Sequence, residues 1–258
     1  MDNKVCVITG SSSGIGAATA RLFAQRGWHV VINYSRQAAP AEAVAAECLA
    51  LGQAAGTQVL VLQADVADDA DCRRLAEAVG ARWGRCDVLV NNAGTTKFVA
   101  ARDLDGLDAE DFHRIYAVNV VGAFQMIRAL APLLKQHPPA AVVNMSSIAS
   151  LTGLGSSVAY AASKGALNAL TLALARALGP EVRVNAIAPG LVDTPWLKNG
   201  LGAERYAAAV ATYKARAALA EIISPEDVAR AAWYLGVDAV KTTGEVLTVD
   251  AGAKLIPL

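Results

Sequence analysis

The sequence predicts an α/β fold: one domain built on a doubly wound parallel sheet of about seven strands, with helices on both faces. Three observations carry this. Short apolar, β-branched runs alternate with longer Ala-rich segments from end to end of the 258 residues. Most of the short runs are continuously apolar, as strands covered on both faces are; a half-solvated strand would alternate. No composition shift, repeat or charged linker divides the chain, so a single domain over 1–258 accounts for it. Regular alternation of strand and helix then implies right-handed crossovers between parallel strands.

The first strand, Val5–Ile8, is entered directly from Met1-Asp2-Asn3-Lys4. A helix over Ile15–Gln25 follows, and Gly27 stops it. Strand Val30–Ile32 leads to helix Pro40–Leu51, and strand Val59–Leu62 to helix Ala70–Arg82, which Gly84 ends. Strand Val88–Val90 precedes one long helix, Ala109–Lys135. Strand Ala141–Asn144 is followed by helix Val158–Leu178 with Gly179 at its stop. Strand Val182–Ala186, helix Pro225–Leu235 and strand Val246–Val249 complete the series. Glycine at such stops fits the left-handed residue with which helices commonly end.

Composition removes several function classes. Lys plus Arg number 23 and Asp plus Glu number 23, hydrophobic residues make up 54%, and mean hydropathy is +0.35. Intrinsic disorder needs low hydrophobicity and a large net charge. A nucleic-acid binder normally carries a basic surplus, so no nucleic-acid partner is expected. No membrane partner is expected either: the most apolar helical stretch, Gly165 to Leu178, is short and broken by Arg176. The N-terminus lacks the apolar segment and cleavage site of a signal peptide. Cys6, Cys48, Cys72 and Cys86 lie far apart, and His29, His113 and His137 form no ligand motif with them. Reduced, buried thiols, no metal site and a cytoplasmic location are the expectation.

The first strand runs into Thr9-Gly10-Ser11-Ser12-Ser13-Gly14-Ile15-Gly16 and then a helix. A tight strand-to-helix turn needs residues free of Cβ restrictions, and close approach of a pyrophosphate needs an absent side chain. The helix N-terminus offers free N–H groups and the positive end of its dipole to the phosphates. Further along, Tyr160-Ala161-Ala162-Ser163-Lys164 lies within a helix. A spacing of four puts Tyr160 and Lys164 on one helical face. A free tyrosine titrates near pH 10, too high for proton exchange near neutrality, and a neighbouring ammonium lowers that value. Such a pair can serve as general acid/base on a carbonyl or alcohol.

Other polar and glycine clusters gather at strand ends, where open parallel sheets collect ligands. They are Asn91-Asn92-Ala93-Gly94, Asn144-Met145-Ser146-Ser147 and Asn185-Ala186-Ile187-Ala188-Pro189-Gly190, with Thr194 just beyond; Asn119 lies in the long helix. The Gly-x3-Gly-x-Gly loop behind Thr9, the Tyr-x3-Lys pair and the serine thirteen residues before the tyrosine resemble the short-chain dehydrogenase/reductase family over roughly residues 4 to 252. The resemblance implies a Rossmann-type fold and a nicotinamide cofactor.

It also implies roles. Tyr160 is the acid/base, Lys164 lowers its pKa and binds the nicotinamide ribose, and Ser147, favoured by spacing over Ser146, holds the substrate oxygen. Asn119 anchors a water in the proton relay. Gly10, Ser12, Ser13, Gly14, Ile15 and Gly16 hold the phosphates. Asn92, Ala93 and Gly94 flank the adenosine side, and Asp65 with Val66 meets the adenine. Pro189, Gly190, Val192 and Thr194 touch the nicotinamide and its carboxamide.

The second strand ends Ile32-Asn33-Tyr34-Ser35-Arg36. The acidic residue that bonds the ribose 2′-hydroxyl in NAD enzymes would fall at Tyr34 and is absent. Arg36 offers a guanidinium suited to a 2′-phosphate, so Tyr34, Ser35 and Arg36 point to NADP(H) over NAD(H). Ser13 departs from the basic residue frequent in NADPH-using relatives.

The substrate is expected to be a small carbonyl or alcohol compound, covered by a lid over about 195–223 that carries Trp196, Leu197, Leu201, Tyr206 and Tyr213. Gly153 and Gly155 leave room beside the catalytic pair. Reduction of 3-oxoacyl chains on acyl carrier protein is the alternative. The expected carrier-docking stretches, His137-Pro138-Pro139 and Gly179-Pro180-Glu181, lack the basic residues of such relatives. A non-catalytic nicotinamide-binding regulator is disfavoured by the complete catalytic set. Family members commonly assemble as homotetramers or homodimers through two long helices, here about 108–135 and 157–178. Ala162, Gly165, Ala166 and Ala169 would allow close approach there.

Overall fold

A computed structural model gives the fold for residues 4–255. The opening Met1-Asp2-Asn3, which the sequence reading takes as no part of a signal peptide, and residues 256–258 lie outside the described residues. The elements are β1 (Val5–Ile8), α1 (Gly14–Gln25), β2 (His29–Tyr34), α2 (Ala38–Leu51), β3 (Val59–Gln63), α3 (Asp69–Trp83), β4 (Val88–Asn91), α4 (Ala109–Tyr116), α5 (Ala123–Gln136), β5 (Ala140–Met145), α6 (Ala149–Thr152), α7 (Val158–Leu178), β6 (Val182–Pro189), α8 (Pro195–Leu201), α9 (Ala203–Arg216), α10 (Pro225–Trp233) and β7 (Val246–Val249). All seven expected strands are present.

They form one sheet in the order β3-β2-β1-β4-β5-β6-β7, every pair parallel. Winding reverses between β1 and β4, where Cys6, Val7 and Ile8 pair with Val88, Leu89 and Val90. The loops leaving these two strands diverge and open a crevice at their carboxyl ends.

Period-two alternation sorts the apolar residues to two faces. Cys6, Ile8, Val30, Ile32 and Val90 pack with Phe23 of α1, Val44 and Cys48 of α2 and Val228 of α10. Val5, Val7, Val31, Leu89 and Val142 pack with Leu75 of α3, Leu130 of α5 and Ala175 of α7. Phe23 centres an aromatic cluster, with ring centroids 5.2 Å from Trp28 and 5.0 Å from Trp233. All four cysteines are buried free thiols. Burial pushes the Cys48 and Cys72 thiols up to about 12, far above the range of a reactive thiolate.

Two helix expectations change. The single helix over 109–135 is divided into α4 and α5 by a π-helical segment, Ala117–Gly122. One extra residue in a turn re-aims the side chains within it, and such segments favour functional sites. Here it carries Asn119. Gly179 is extended (φ −70°, ψ 151°) instead of left-handed; it precedes Pro180, which drives its neighbour out of the helical region. Gly27 and Gly84 have the expected positive φ of 81° and 67°.

Among the described residues, the span Ala109–Gln136, not Gly165–Leu178, is by length and composition the one apolar enough to cross a membrane. Its Met126, Ile127, Leu130 and Leu134 are buried against the sheet. On α7, Ala162 and Ala169 face outward instead of toward the sheet, beside the exposed Val158 and Leu172. Val121 and Phe124 are exposed on the long helix.

Candidate active site

Side-chain bonds join the loops at the carboxyl edge. Thr9 Oγ1 accepts from the N–H groups of Asn92 and Ala93, both at 3.0 Å. Asn92 Nδ2 donates back to the Thr9 and Gly10 carbonyls at 2.9 Å. Gly10 N–H donates to Asn33 Oδ1 at 3.0 Å, and Asn33 Nδ2 donates to the Ala64 carbonyl at 3.0 Å. Ser11 Oγ accepts from Asn33 N–H at 3.0 Å and donates to the Ile8 carbonyl at 2.8 Å. The ends of β1, β2, β3 and β4 thus share one polar net.

Above that net the N-terminus of α1 is open. Ser13 occupies the N-cap, yet its side chain makes no capping bond, so the orphan N–H groups of the first turn keep their donor capacity. No acidic residue lies in that turn. Gly14 has φ +55°, and a Cβ there would lie 3.3 Å from Thr194 Cγ2. At Gly16 a Cβ would lie 2.6 Å from both Asn92 Nδ2 and the Gly10 carbonyl oxygen. An anion can reach the helix end because no side chain fills it, and these donors fit a nucleotide pyrophosphate.

A cavity of about 1420 Å³ runs from this loop to Tyr160 and Lys164. Gly10, Ser13, Gly14 and Ile15 line its floor, with Ser35, Arg36, Asp65 and Val66 at one end. Asn92, Ala93 and Gly94 line it at the crevice, and Pro189, Gly190, Val192 and Thr194 beyond. Three expected contacts lie outside this lining. Tyr34 packs against the core on the α1 side, because alternation along β2 turns it away from its neighbours Asn33 and Ser35. Ser12 faces a smaller cleft between α1 and α2. Gly16 is buried, and its role is the close packing of helix on loop. Asn92 lines the cavity but acts chiefly as a pin for the glycine loop.

At the other end, Ser157 caps α7 by accepting from Tyr160 N–H at 3.2 Å. Tyr160 and Lys164 follow one turn apart. Lys164 is buried, donates from Nζ to the Met145 carbonyl at 2.7 Å, and lies 5.5 Å from the Tyr160 ring centroid. Burial lowers its pKa to about 8. Burial pushes Tyr160 up to about 12, and the hydrogen bond with Ser147 pulls the other way. This corrects the expectation of a tyrosine lowered by its lysine. Desolvation outweighs the lysine, whose ammonium is itself destabilised and turned to a carbonyl.

The two serines separate cleanly. Ser146 is buried and donates to Asn168 Oδ1 at 2.6 Å. Ser147 lines the cavity and bonds to the tyrosine. Asn119 lies behind the lining: its Oδ1 accepts from Thr95 N–H at 2.8 Å, and its Nδ2 donates to the Thr95 carbonyl and Ser163 Oγ, both at 3.0 Å. Its amide therefore joins the loop after β4 to α7. Gly155 stands beside Tyr160, where a Cβ would come within 3.3 Å of Cδ1. Gly153 instead supplies a left-handed residue after α6, with open space around it.

The lid is helical. In α8, the Trp196 ring lies tilted with its centroid 5.4 Å from that of Phe98 and 6.3 Å from that of Tyr160. Gly200 lets the helix settle on the Phe98 ring, which a Cβ would overlap. Tyr206 Oη donates to Asp193 Oδ1 at 2.8 Å, and Tyr213 Oη to the Asp250 carbonyl at 2.7 Å. Sequence reasoning missed Thr9, Ser11, Asn33, Thr95 and Phe98. Thr9 and Asn33 did carry a signal, as polar residues at the ends of apolar strands.

A parallel α/β sheet with an open helix N-terminus and a Tyr–Lys pair, its lysine buried, in one crevice defines a nucleotide-dependent oxidoreductase. The model of the family described as "Enoyl-(Acyl carrier protein) reductase" matches residues 10–254. "Granaticin polyketide synthase putative ketoacyl reductase 2" of Streptomyces violaceoruber is 42% identical over 252 residues, covering 98% of this chain and 96% of its own. "3beta-hydroxysteroid dehydrogenase 1" of Eggerthella lenta is 36% identical, covering 100% and 96%. A solved "putative short-chain dehydrogenase/reductase from Burkholderia xenovorans" superposes with a TM-score of 0.88 at 44% identity, covering 99% of each chain. The chain belongs to the short-chain dehydrogenase/reductase family. Its members are oxidoreductases of alcohol and ketone groups that use NAD(P)(H).

Ser147→Ala is expected to cut kcat by about a hundredfold, the scale of one lost oxyanion donor. Ser146→Ala is expected to lower the melting temperature with a far smaller kcat effect. Steady-state kinetics beside thermal unfolding of both variants checks this, and equal kcat losses would contradict it.

Proposed function

We propose that the protein is an NADP(H)-dependent oxidoreductase that interconverts a ketone and a secondary alcohol, with Tyr160 as general acid/base. The observation that carries this reading is Tyr160 in the cavity, bonded to Ser147 and one turn from buried Lys164. When bound, the nicotinamide supplies or accepts the hydride. The Ser147 hydroxyl holds the substrate oxygen. Tyr160, protonated throughout the neutral range with its pKa at about 12, donates its phenolic proton to that oxygen; this favours carbonyl reduction. Lys164 holds a positive charge beside the site below about pH 8 and binds the ribose hydroxyls. Asn119 keeps Thr95 and α7 in register, and with them the water of the relay.

Arg36 supports NADP(H). It lines the cavity at the adenosine end and, among the described residues, forms no salt bridge. Tyr-x3-Lys spacing favours carbonyl over enoyl reduction. A free carbonyl compound fits better than a carrier-bound 3-oxoacyl chain, because Pro138-Pro139 and Pro180-Glu181 present no basic docking surface. The outward Val158, Leu172, Val121 and Phe124 support a homotetramer or homodimer, for which light scattering should give a mass well above the 26.6 kDa monomer. The buried thiols support the reducing cytoplasm, which cell fractionation tests.

NADPH should exceed NADH in kcat/KM, and Arg36→Ala should lower that ratio about tenfold. Equal or better efficiency of the wild type with NADH would sink the NADP(H) assignment. A second test uses pH. Lys164 is charged below about pH 8 and neutral above it. The kcat/KM for the reduced cofactor, which reports the free enzyme, should therefore fall as pH rises through about 8. Lys164→Arg should move that limb to higher pH, since a guanidinium stays protonated. Tyr160→Phe should abolish turnover at every pH.

A further inference from the structure

We propose that the substrate is an apolar ketone carrying an anionic group, a carboxylate, at the end remote from its carbonyl, and that Arg216 and Lys254 hold this anion at the cavity mouth. The inference rests on the oxidoreductase reading above and names the substrate class for that site. Around Tyr160 the wall is aromatic and aliphatic: Phe98, Leu154, Trp196 and Leu201 line it. Such a wall suits a ring or chain without hydrogen-bonding groups. The exposed part of the lining carries two cations. Arg216 ends α9 and Lys254 follows β7, and both line the same cavity.

Two ties bring their segments together. Tyr213 Oη donates to the Asp250 carbonyl at 2.7 Å, and Leu219 N–H donates to the Ala251 carbonyl at 3.0 Å. Among the described residues neither cation forms a salt bridge. Lys254 Nζ makes only a neutral bond, 2.5 Å to Thr248 Oγ1. The neighbouring carboxylate, Asp250, accepts from the N–H groups of Gly252 and Lys254 at 3.0 Å each. Glu110, the acid lining the cavity away from the adenosine end, lies beside Arg114. The lid and the segment after β7 therefore present two cations, without a salt-bridge partner among the described residues, to a cavity whose wall near Tyr160 is apolar. The other cations in the lining have assigned partners or roles: Lys164 with Met145, Arg114 with Asp111, Arg36 with the cofactor.

An exposed ion pair contributes modestly, so two of them should favour the anion about tenfold over a neutral isostere at low salt. The test uses a series of ω-benzoylalkanoates of increasing chain length and their methyl esters. Calorimetric titration into the full chain saturated with NADP+, where a ketone cannot be reduced, should show at least one acid binding about tenfold tighter than its ester. Arg216→Ala with Lys254→Ala should bring that ratio near one, and 0.5 M salt should compress it in the wild type. Lys214→Ala, on the same last turn but outside the lining, should keep it; a loss there would mean a diffuse field and overturn the assignment. Equal affinity of acid and ester across the series would also overturn it, even with ketones reduced. If acids bind preferentially but no ketone is reduced with NADPH or NADH, the anion site stands and the oxidoreductase reading falls.

Discussion

Everything at the nucleotide edge depends on one arrangement: four parallel strands end in a net of side-chain hydrogen bonds that fixes where their loops go. Parallel strands leave their terminal backbone groups at a common edge, and those groups need partners. Thr9, Ser11, Asn33 and Asn92 provide them by bonding main chain across strands. The glycine loop can then stay free of side chains and still hold one shape. An open helix N-terminus is useful for binding only when it is held still, because affinity lost to ordering a loop is not recovered.

A second buried net serves the chemistry. Asn91 donates to Asn144, which donates to Thr171 on α7, with both bonds at 2.9 Å. Lys164 reaches the Met145 carbonyl from the same helix. Strand β5 and helix α7 are locked together just below Tyr160 and Lys164. The pair sits in a medium that penalises charge on both members, and burial moves their pKa values apart, to about 8 and about 12. Through the neutral range the tyrosine is therefore protonated, beside a lysine that titrates near physiological pH.

Legibility in the sequence followed distance along the chain. The glycine loop and the Tyr–Lys pair were readable because each is a local pattern with a local physical reason. The five inner strands were readable because burial leaves continuous apolar runs, and the edge strands β3 and β7, only partly buried, keep the same apolar composition. What stayed hidden is what depends on contacts far apart in sequence. The amide of Asn119 is committed to Thr95 and Ser163, 24 and 44 residues away. The π-helical turn that aims it has no apolar period of its own. Tyr34 was misplaced because a strand's last residue belongs to whichever face alternation assigns it, not to the motif around it. The expected lowering of the tyrosine pKa failed for a related reason: spacing reveals a nearby cation, but only the folded interior reveals the cost of burial.

The lid's attachment has a bearing on how such a protein diversifies. One tyrosine of α9 holds Asp193 and another holds the Asp250 carbonyl, while Ala208, Ala209 and Thr212 of the same helix face the cavity. Tyr206 thus serves as an anchor outside the cavity lining, Tyr213 as both anchor and wall, and the small residues as contacts alone. Substitutions at the small contact positions can reshape the chamber without loosening its roof. Inherited variation can accordingly explore new ligands at little risk to folding, and the module carrying that freedom lies outside the sheet.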